Sequence, residues 1–227
     1  MNLLVKICGL STPATLDAAL DAGADMVGFV FFPPSPRNVG HAAARALGLL
    51  VRGRAQKVAL TVDATDEELG DIIAALEPDL LQLHGRETPE RVAAVRTRFG
   101  LPVMKALPVA ERSDLSPVRL YDKVADRLLF DARAPRRATR PGGLGNSFDW
   151  RLLDGLTAAV PFMLSGGLDA GNVAQALHIT RAGAVDVSSG VERTPGDKDA
   201  EKIRAFVAAA RAAAGGRAAA GKRMGKA

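Results

Sequence analysis

Eight short apolar runs recur along this chain, at 3–8, 25–31, 57–62, 79–84, 102–107, 127–131, 161–164 and 184–187. Their spacing of roughly 22 to 34 residues leaves room for one crossover helix between consecutive parallel strands. Most runs do not alternate strictly, which fits parallel strands covered on both faces. The segments between them read as helices. Thr12-Pro13 supplies a cap and a first-turn proline for 14–22. The acidic turn Asp66-Glu67-Glu68 suits the positive N-terminus of a helix over 65–76. Thr88-Pro89 opens another helix, 199–213 forms the last, and Gly23, Gly100 and Gly183 lie where helices should stop. Eight β–α repeats closing on themselves predict an α/β fold, a single (β/α)8 TIM barrel, over 1–213. A doubly wound open sheet is the alternative.

Composition narrows the partners. Hydrophobic residues make up 48% of the 227 and aromatic residues only 4%, so the core must be packed with aliphatic side chains. One cysteine excludes an internal disulfide, and no zinc-type Cys/His spacing exists; no metal or cofactor is expected. The first residues lead straight into a strand, and no run approaches the ~20 apolar residues that span a membrane. The expected compartment is the cytoplasm. The net charge of +5 falls to +1 without Arg217, Lys222, Arg223 and Lys226, all in the Ala/Gly-rich stretch 214–227. That stretch reads as a disordered, solubilising tail, and nucleic-acid binding is not expected.

The chemistry-bearing residues sit at strand C-terminal ends, the face on which such barrels react substrates. Ser165-Gly166-Gly167 and Ser188-Ser189-Gly190 end the last two strands. Gly and Ser let backbone N–H groups converge on a phosphate dianion, so these turns are the expected phosphate cradle. Cys8 ends the first strand, and period two puts Lys6 on the same side. A cation there would lower the thiol pKa and favour a thiolate base; an inert small apolar residue is the alternative. Asp131, ending the sixth run, is either a partly desolvated general acid or a cap or salt-bridge partner of Arg133. Arg37, in the proline-stiffened loop 32–39, is a carboxylate fork or a solvated loop residue. His84 is a base or, preferably, a group that orients a neighbour. Trp150 reads as a packing residue for the long loop 132–148, and His41 and His178 belong to no motif.

At these residues the sequence resembles the phosphoribosylanthranilate isomerase family of tryptophan biosynthesis. The resemblance rests on Lys6-Ile7-Cys8-Gly9, Gly28-Phe29-Val30-Phe31, Ser35-Pro36-Arg37, Gln82-Leu83-His84-Gly85, Phe130-Asp131 and Phe148-Asp149-Trp150. It continues through Leu164-Ser165-Gly166-Gly167-Leu168, Asp186-Val187-Ser188-Ser189-Gly190-Val191-Glu192 and Pro195-Gly196-Asp197-Lys198-Asp199. It implies an Amadori rearrangement of N-(5′-phosphoribosyl)anthranilate. Asp131 would protonate the furanose oxygen, Cys8 would take the C2 proton, and Arg37 would bind the anthranilate carboxylate. The turns with Gly166, Gly167, Ser188, Ser189 and Gly190 would hold the phosphate, with Lys6, His84 and Asp186 in support. A small phosphorylated substrate is thus the expected partner, for a monomer or homodimer.

Three features depart from the family pattern. Asn38 follows the Ser-Pro-Arg motif where an aromatic residue is usual. Leu144 replaces a small hydroxyl residue. Arg133, Arg136, Arg137 and Arg140 crowd the loop after Asp131, and are expected to point away, since a close guanidinium would weaken an acid. The rivals are the sister isomerase of histidine biosynthesis, with a carboxylate pair and a second phosphate site, and a non-catalytic phosphate-ligand or RNA binder. A thiol redox protein is disfavoured by the single cysteine.

Overall fold

The computed structural model describes residues 3–224, with side chains through Gly216. Eight parallel strands follow the eight apolar runs: β1 Leu4–Cys8, β2 Met26–Phe31, β3 Gln56–Thr61, β4 Leu80–Leu83, β5 Val103–Val109, β6 Arg127–Ala132, β7 Phe162–Leu164 and β8 Ala184–Val187. They hydrogen-bond in chain order, and β1 pairs with both β2 and β8, so the sheet closes into a barrel. The open-sheet alternative is thereby excluded.

The helices cover the outside: α1 Pro13–Asp21, α2 His41–Val51, α3 Asp66–Leu76, α4 Pro89–Phe99, the single turn α5 Val118–Tyr121, α6 Val173–Thr180 and α7 Ala200–Met224. Local chemistry explains their ends. Thr12 and Thr88 cap α1 and α4 ahead of proline, and Thr65 with Glu68 closes a reciprocal capping box on α3. Gly100 takes the left-handed cap of α4 at φ 63. At α6 that position belongs to Arg181, not Gly183. Between β6 and β7 only a short 3-10 turn, Trp150–Leu153, replaces the helix. Trp150 packs against the core there, as expected.

One end differs from the sequence reading. The last helix continues past Ala213 to Met224. The run Ala212-Ala213-Ala214 has high helix propensity, and Ala213 and Ala214 pack against the core. The tail expected from 214 is thus helical in backbone as far as Met224, and 225–227 lie outside the described residues. Among the described residues no helix is long and apolar enough to cross a membrane.

Side chains of each strand alternate between barrel interior and helix layer. The interior floor is a cluster of Met26, Val58, Leu80, Met104, Ala106, Leu129, Met163 and Ala184. The larger cluster, with Ile7, Phe29, Leu81, Phe130 and Phe206, fills the space between sheet and helices. Above the floor the interior turns polar, because Lys6, Gln82, Asp131, Ser165 and Asp186 share the inward phase of their strands. A short hairpin, β9 Glu192–Thr194 and β10 Asp197–Lys198, follows β8 at the same mouth.

Candidate active site

Cys8 and Lys6 face inward from β1, opposite Gly28 of β2. A side chain at Gly28 would come within 3.0 Å of the Cys8 Sγ and 3.1 Å of the Lys6 Nζ, so the missing Cβ makes room for both. Lys6 donates to Asp186 at 2.8 Å, and the other Asp186 oxygen accepts from Ser165 at 3.2 Å. Burial works against the Lys6 charge, but Asp186 and Cys8 outweigh it and hold the ammonium above its ordinary value. The thiol behaves differently from the sequence expectation. Burial pushes the Cys8 pKa up, and Asp186 adds to that; Lys6 and Lys198 oppose it without reversing it. The predicted cation is in place, yet desolvation of a thiolate inside the barrel outweighs its attraction. Cys8 therefore keeps its proton at neutral pH in the free protein.

Asp131 projects from β6 into the same space. Its Oδ1 accepts the Ala132 amide at 2.8 Å and its Oδ2 lies 3.2 Å from the His84 Nε2. Gln82 lies 3.0 Å from the His84 Nδ1. With Gln82 donating there, the imidazole offers its hydrogen to Asp131. Arg133 turns instead to Asp114 and Glu111, so it does not pair with the candidate acid. Arg140 is among the residues that line the cleft, with its Nε buried and without a protein partner among the described residues.

Arg37 is 3% exposed, which rules out a solvated loop arginine. Its Nε and Nη2 form a fork on Glu192, both bonds 2.7 Å, and Nη2 also donates to the Gly143 carbonyl at 3.0 Å. Asn38, the departure from the family pattern, accepts the Phe32 amide at 2.7 Å and ties off the loop that holds Arg37. Lys198 completes this cluster, donating to Glu192 at 2.8 Å and to the Ser188 carbonyl at 2.8 Å. Burial lowers the Lys198 pKa to about 8, against the pull of Glu192. Burial also works against the Glu192 charge, but the bonds from Arg37 and Lys198 win and hold its carboxyl below the usual range.

The two glycine turns close the other side. Gly166 and Gly167 have φ of 86 and 66, and a Cβ on Gly166 would meet the Ala132 amide at 2.6 Å. Their own amides bond to no protein group among the described residues. A Cβ on Gly190 would strike the Leu168 carbonyl. Ser188 donates to the Cys8 carbonyl at 3.1 Å, linking the second turn to the first strand. Cys8, Arg37, Asp131, both turns and Leu144 line one cleft, open to solvent. Gly142 and Gly143 of the long loop lie directly over it. A Cβ on Gly142 would stand 2.6 Å from Asp131 and 2.8 Å from His84, and one on Gly143 would strike Arg37.

The structure thus gathers Cys8, Arg37, Asp131, His84, Lys6, Asp186 and both turns at one mouth. Gln82, Glu192, Lys198 and Arg140 also belong to it and carry no expected role in the sequence reading. Glu192 and Lys198 do lie within the quoted motifs, but nothing local tells a buried strut from a solvated charge.

The family model described as N-(5′-phosphoribosyl)anthranilate (PRA) isomerase matches residues 5–209. The N-(5′-phosphoribosyl)anthranilate isomerase of a Bradyrhizobium species (strain ORS 278) is 67% identical over 213 residues, covering 94% of this chain and 97% of that protein. The isomerase of Nitrobacter winogradskyi is also 67% identical over 213 residues, covering 94% and 95%. The crystal structure of phosphoribosyl anthranilate isomerase from Thermotoga maritima superposes with a TM-score of 0.84 at 33% identity, covering 92% of this chain and 99% of that one. Another isomerase, in complex with reduced 1-(o-carboxyphenylamino)-1-deoxyribulose 5-phosphate, gives 0.79 at 31%, covering 92% and 99%. Barrel, cleft residues and relatives agree: the chain belongs to the N-(5′-phosphoribosyl)anthranilate isomerase family.

Proposed function

We propose that the chain converts N-(5′-phosphoribosyl)anthranilate to 1-(2-carboxyphenylamino)-1-deoxy-D-ribulose 5-phosphate, an Amadori rearrangement in L-tryptophan biosynthesis. One observation carries this reading: a thiol and a carboxyl group share a cleft with two anion anchors, the glycine turns and Arg37. The substrate has an anion at each end and its reacting carbons between them.

The phosphate sits on the amides of Gly166, Gly167, Ser188, Ser189 and Gly190 and on the Ser189 hydroxyl, since the Ser188 hydroxyl is taken by the Cys8 carbonyl. Arg37 meets the anthranilate carboxylate through Nη1, since Nε and Nη2 are taken by Glu192 and Gly143. The pair of Cys8 and Asp131 holds one proton; once it has moved from Cys8 to Asp131, leaving a thiolate, Asp131, oriented by His84, gives it to the furanose oxygen. The C1–O bond breaks, and the nitrogen lone pair forms the C1=N⁺ iminium. The Cys8 thiolate takes the C2 proton, and the C–H electron pair becomes the C1=C2 bond while the iminium π electrons return to nitrogen. The enolamine then tautomerises: C1 takes a proton from water and the C2 hydroxyl gives one up to water, which leaves the C2 ketone. The iminium is the electron sink, so the scheme needs no metal or cofactor. Lys6, fixed by Asp186, stabilises the thiolate while it exists.

The unit that acts is the barrel of 1–213 with 214–227 as an addition, working as a monomer or homodimer in the cytoplasm. A fluorescence assay with the purified chain tests the reading. Loss of the aminobenzoate fluorescence of the substrate supports it, and a folded chain that leaves the substrate unchanged refutes it.

A further inference from the structure

Two anchors that must hold opposite ends of one substrate are joined inside the protein by an unbroken run of hydrogen bonds. It begins at the Gly143 carbonyl, passes through Arg37 to Glu192, from Glu192 to Lys198, and from Lys198 to Ser188. Ser188 passes it to the carbonyl of Cys8. Arg37, Glu192 and Lys198 are 3%, 7% and 2% exposed, so the run is buried along its middle. Glu192 and Lys198 sit on the two strands of the small hairpin, whose turn places Gly196 against the Pro36 carbonyl. The same hairpin thus touches the loop of Arg37 and the second glycine turn. Lys202 of α7 ties it down through the Glu192 carbonyl at 2.7 Å.

We propose that Glu192 and Lys198 are positioning residues that set the separation and aim of the carboxylate anchor and the phosphate turn. Glu192 holds the Nε–Nη2 edge of Arg37, so that the Nη1 edge meets the substrate. Lys198 holds Ser188 by its carbonyl and hydroxyl, so that the second turn keeps its place beside Cys8. Neither residue touches substrate. Each acts through a neighbour that does, and a misplacement of an ångström at an anchor is costly. This inference rests on the proposed substrate.

Steady-state kinetics on Glu192→Gln, Lys198→Met, Arg37→Ala and the double variant Arg37→Ala/Glu192→Gln test it. Thermal melting checks that each is folded. Glu192→Gln alone is expected to raise KM about tenfold with kcat changed less than about threefold. Added to Arg37→Ala it is expected to change KM little, because its effect runs through the residue already removed. Lys198→Met is expected to raise the inhibition constant of inorganic phosphate about tenfold, and Glu192→Gln to leave it nearly unchanged. An unchanged KM in folded Glu192→Gln, or effects that simply multiply in the double variant, overturns the proposal. Should Lys198→Met not fold, the Glu192 cycle decides alone. If the wild-type chain turns over no phosphoribosylanthranilate, the functional reading has failed instead.

Discussion

Cys8 and Asp131 are expected to be indispensable because the reaction needs one base and one acid and the cleft offers this pair. Cys8→Ala and Asp131→Asn should each lower kcat at least ~10²-fold, the scale of a lost proton-transfer group. Arg37→Ala should act mainly on KM, since its proposed contact is a carboxylate remote from the breaking bonds. The electrostatics give a pH signature. In the proposed mechanism Cys8 acts as a thiolate, and the pair shares one proton whose loss on the alkaline side ends activity. Because burial raises the thiol above its ordinary 9.0, kcat should hold past pH 9 before it falls. KM should begin to rise earlier, near pH 8, as Lys198 loses the charge that faces Glu192, Arg37 and Cys8. A kcat that falls below pH 9 contradicts the raised thiol. Gly142 gives a further test, since a Cβ there would stand between Asp131 and His84. Gly142→Ala should cut kcat by about tenfold or more while the melting temperature stays close to wild type.

At the scale of elements, strands and caps were legible because their signals are local. Eight apolar runs became eight strands, and Thr12, Thr65 and Thr88 capped the helices they precede. The strand-end rule also placed Cys8, Asp131 and the two turns together, because a closed parallel barrel brings every strand end to one face. What was hidden depends on distance along the chain. Glu192 is 155 residues from the arginine it holds, and its role exists only once the barrel has closed. The thiol pKa was misjudged for a related reason: a neighbouring cation can be read from period two, but the depth of burial cannot. A second hidden pair stiffens the loop behind His84. Lys105 points from β5 into the helix layer and donates to Glu87 at 2.8 Å and the Gly85 carbonyl at 2.8 Å. Glu87 accepts the amides of Asp63 and Gly85. Lys105→Met should leave a buried carboxylate without its cation and cost about 3 kcal/mol, read by denaturant unfolding.

For the whole molecule, the barrel is expected to carry the activity without the C-terminal extension. The relatives share 213 residues with this chain, and the family match ends at residue 209. Ala214 still packs against the core, so the place to cut lies beyond it. A chain ending at Gly216 should keep its kcat and KM and melt within a few degrees of the full protein. It should bind cation exchangers more weakly, having lost Arg217, Lys222, Arg223 and Lys226. A fall in activity without a fall in melting temperature would mean that the extension reaches the cleft.

The central claim is that one acid and one base in a single cleft rearrange phosphoribosylanthranilate. The most direct measurement is turnover of that substrate by the wild-type chain, Cys8→Ala and Asp131→Asn, each shown to be folded. The account predicts conversion to the carboxyphenylamino-deoxyribulose phosphate by the wild type and a loss of at least ~10²-fold in kcat in both variants. Near-wild-type turnover in either folded variant would contradict it.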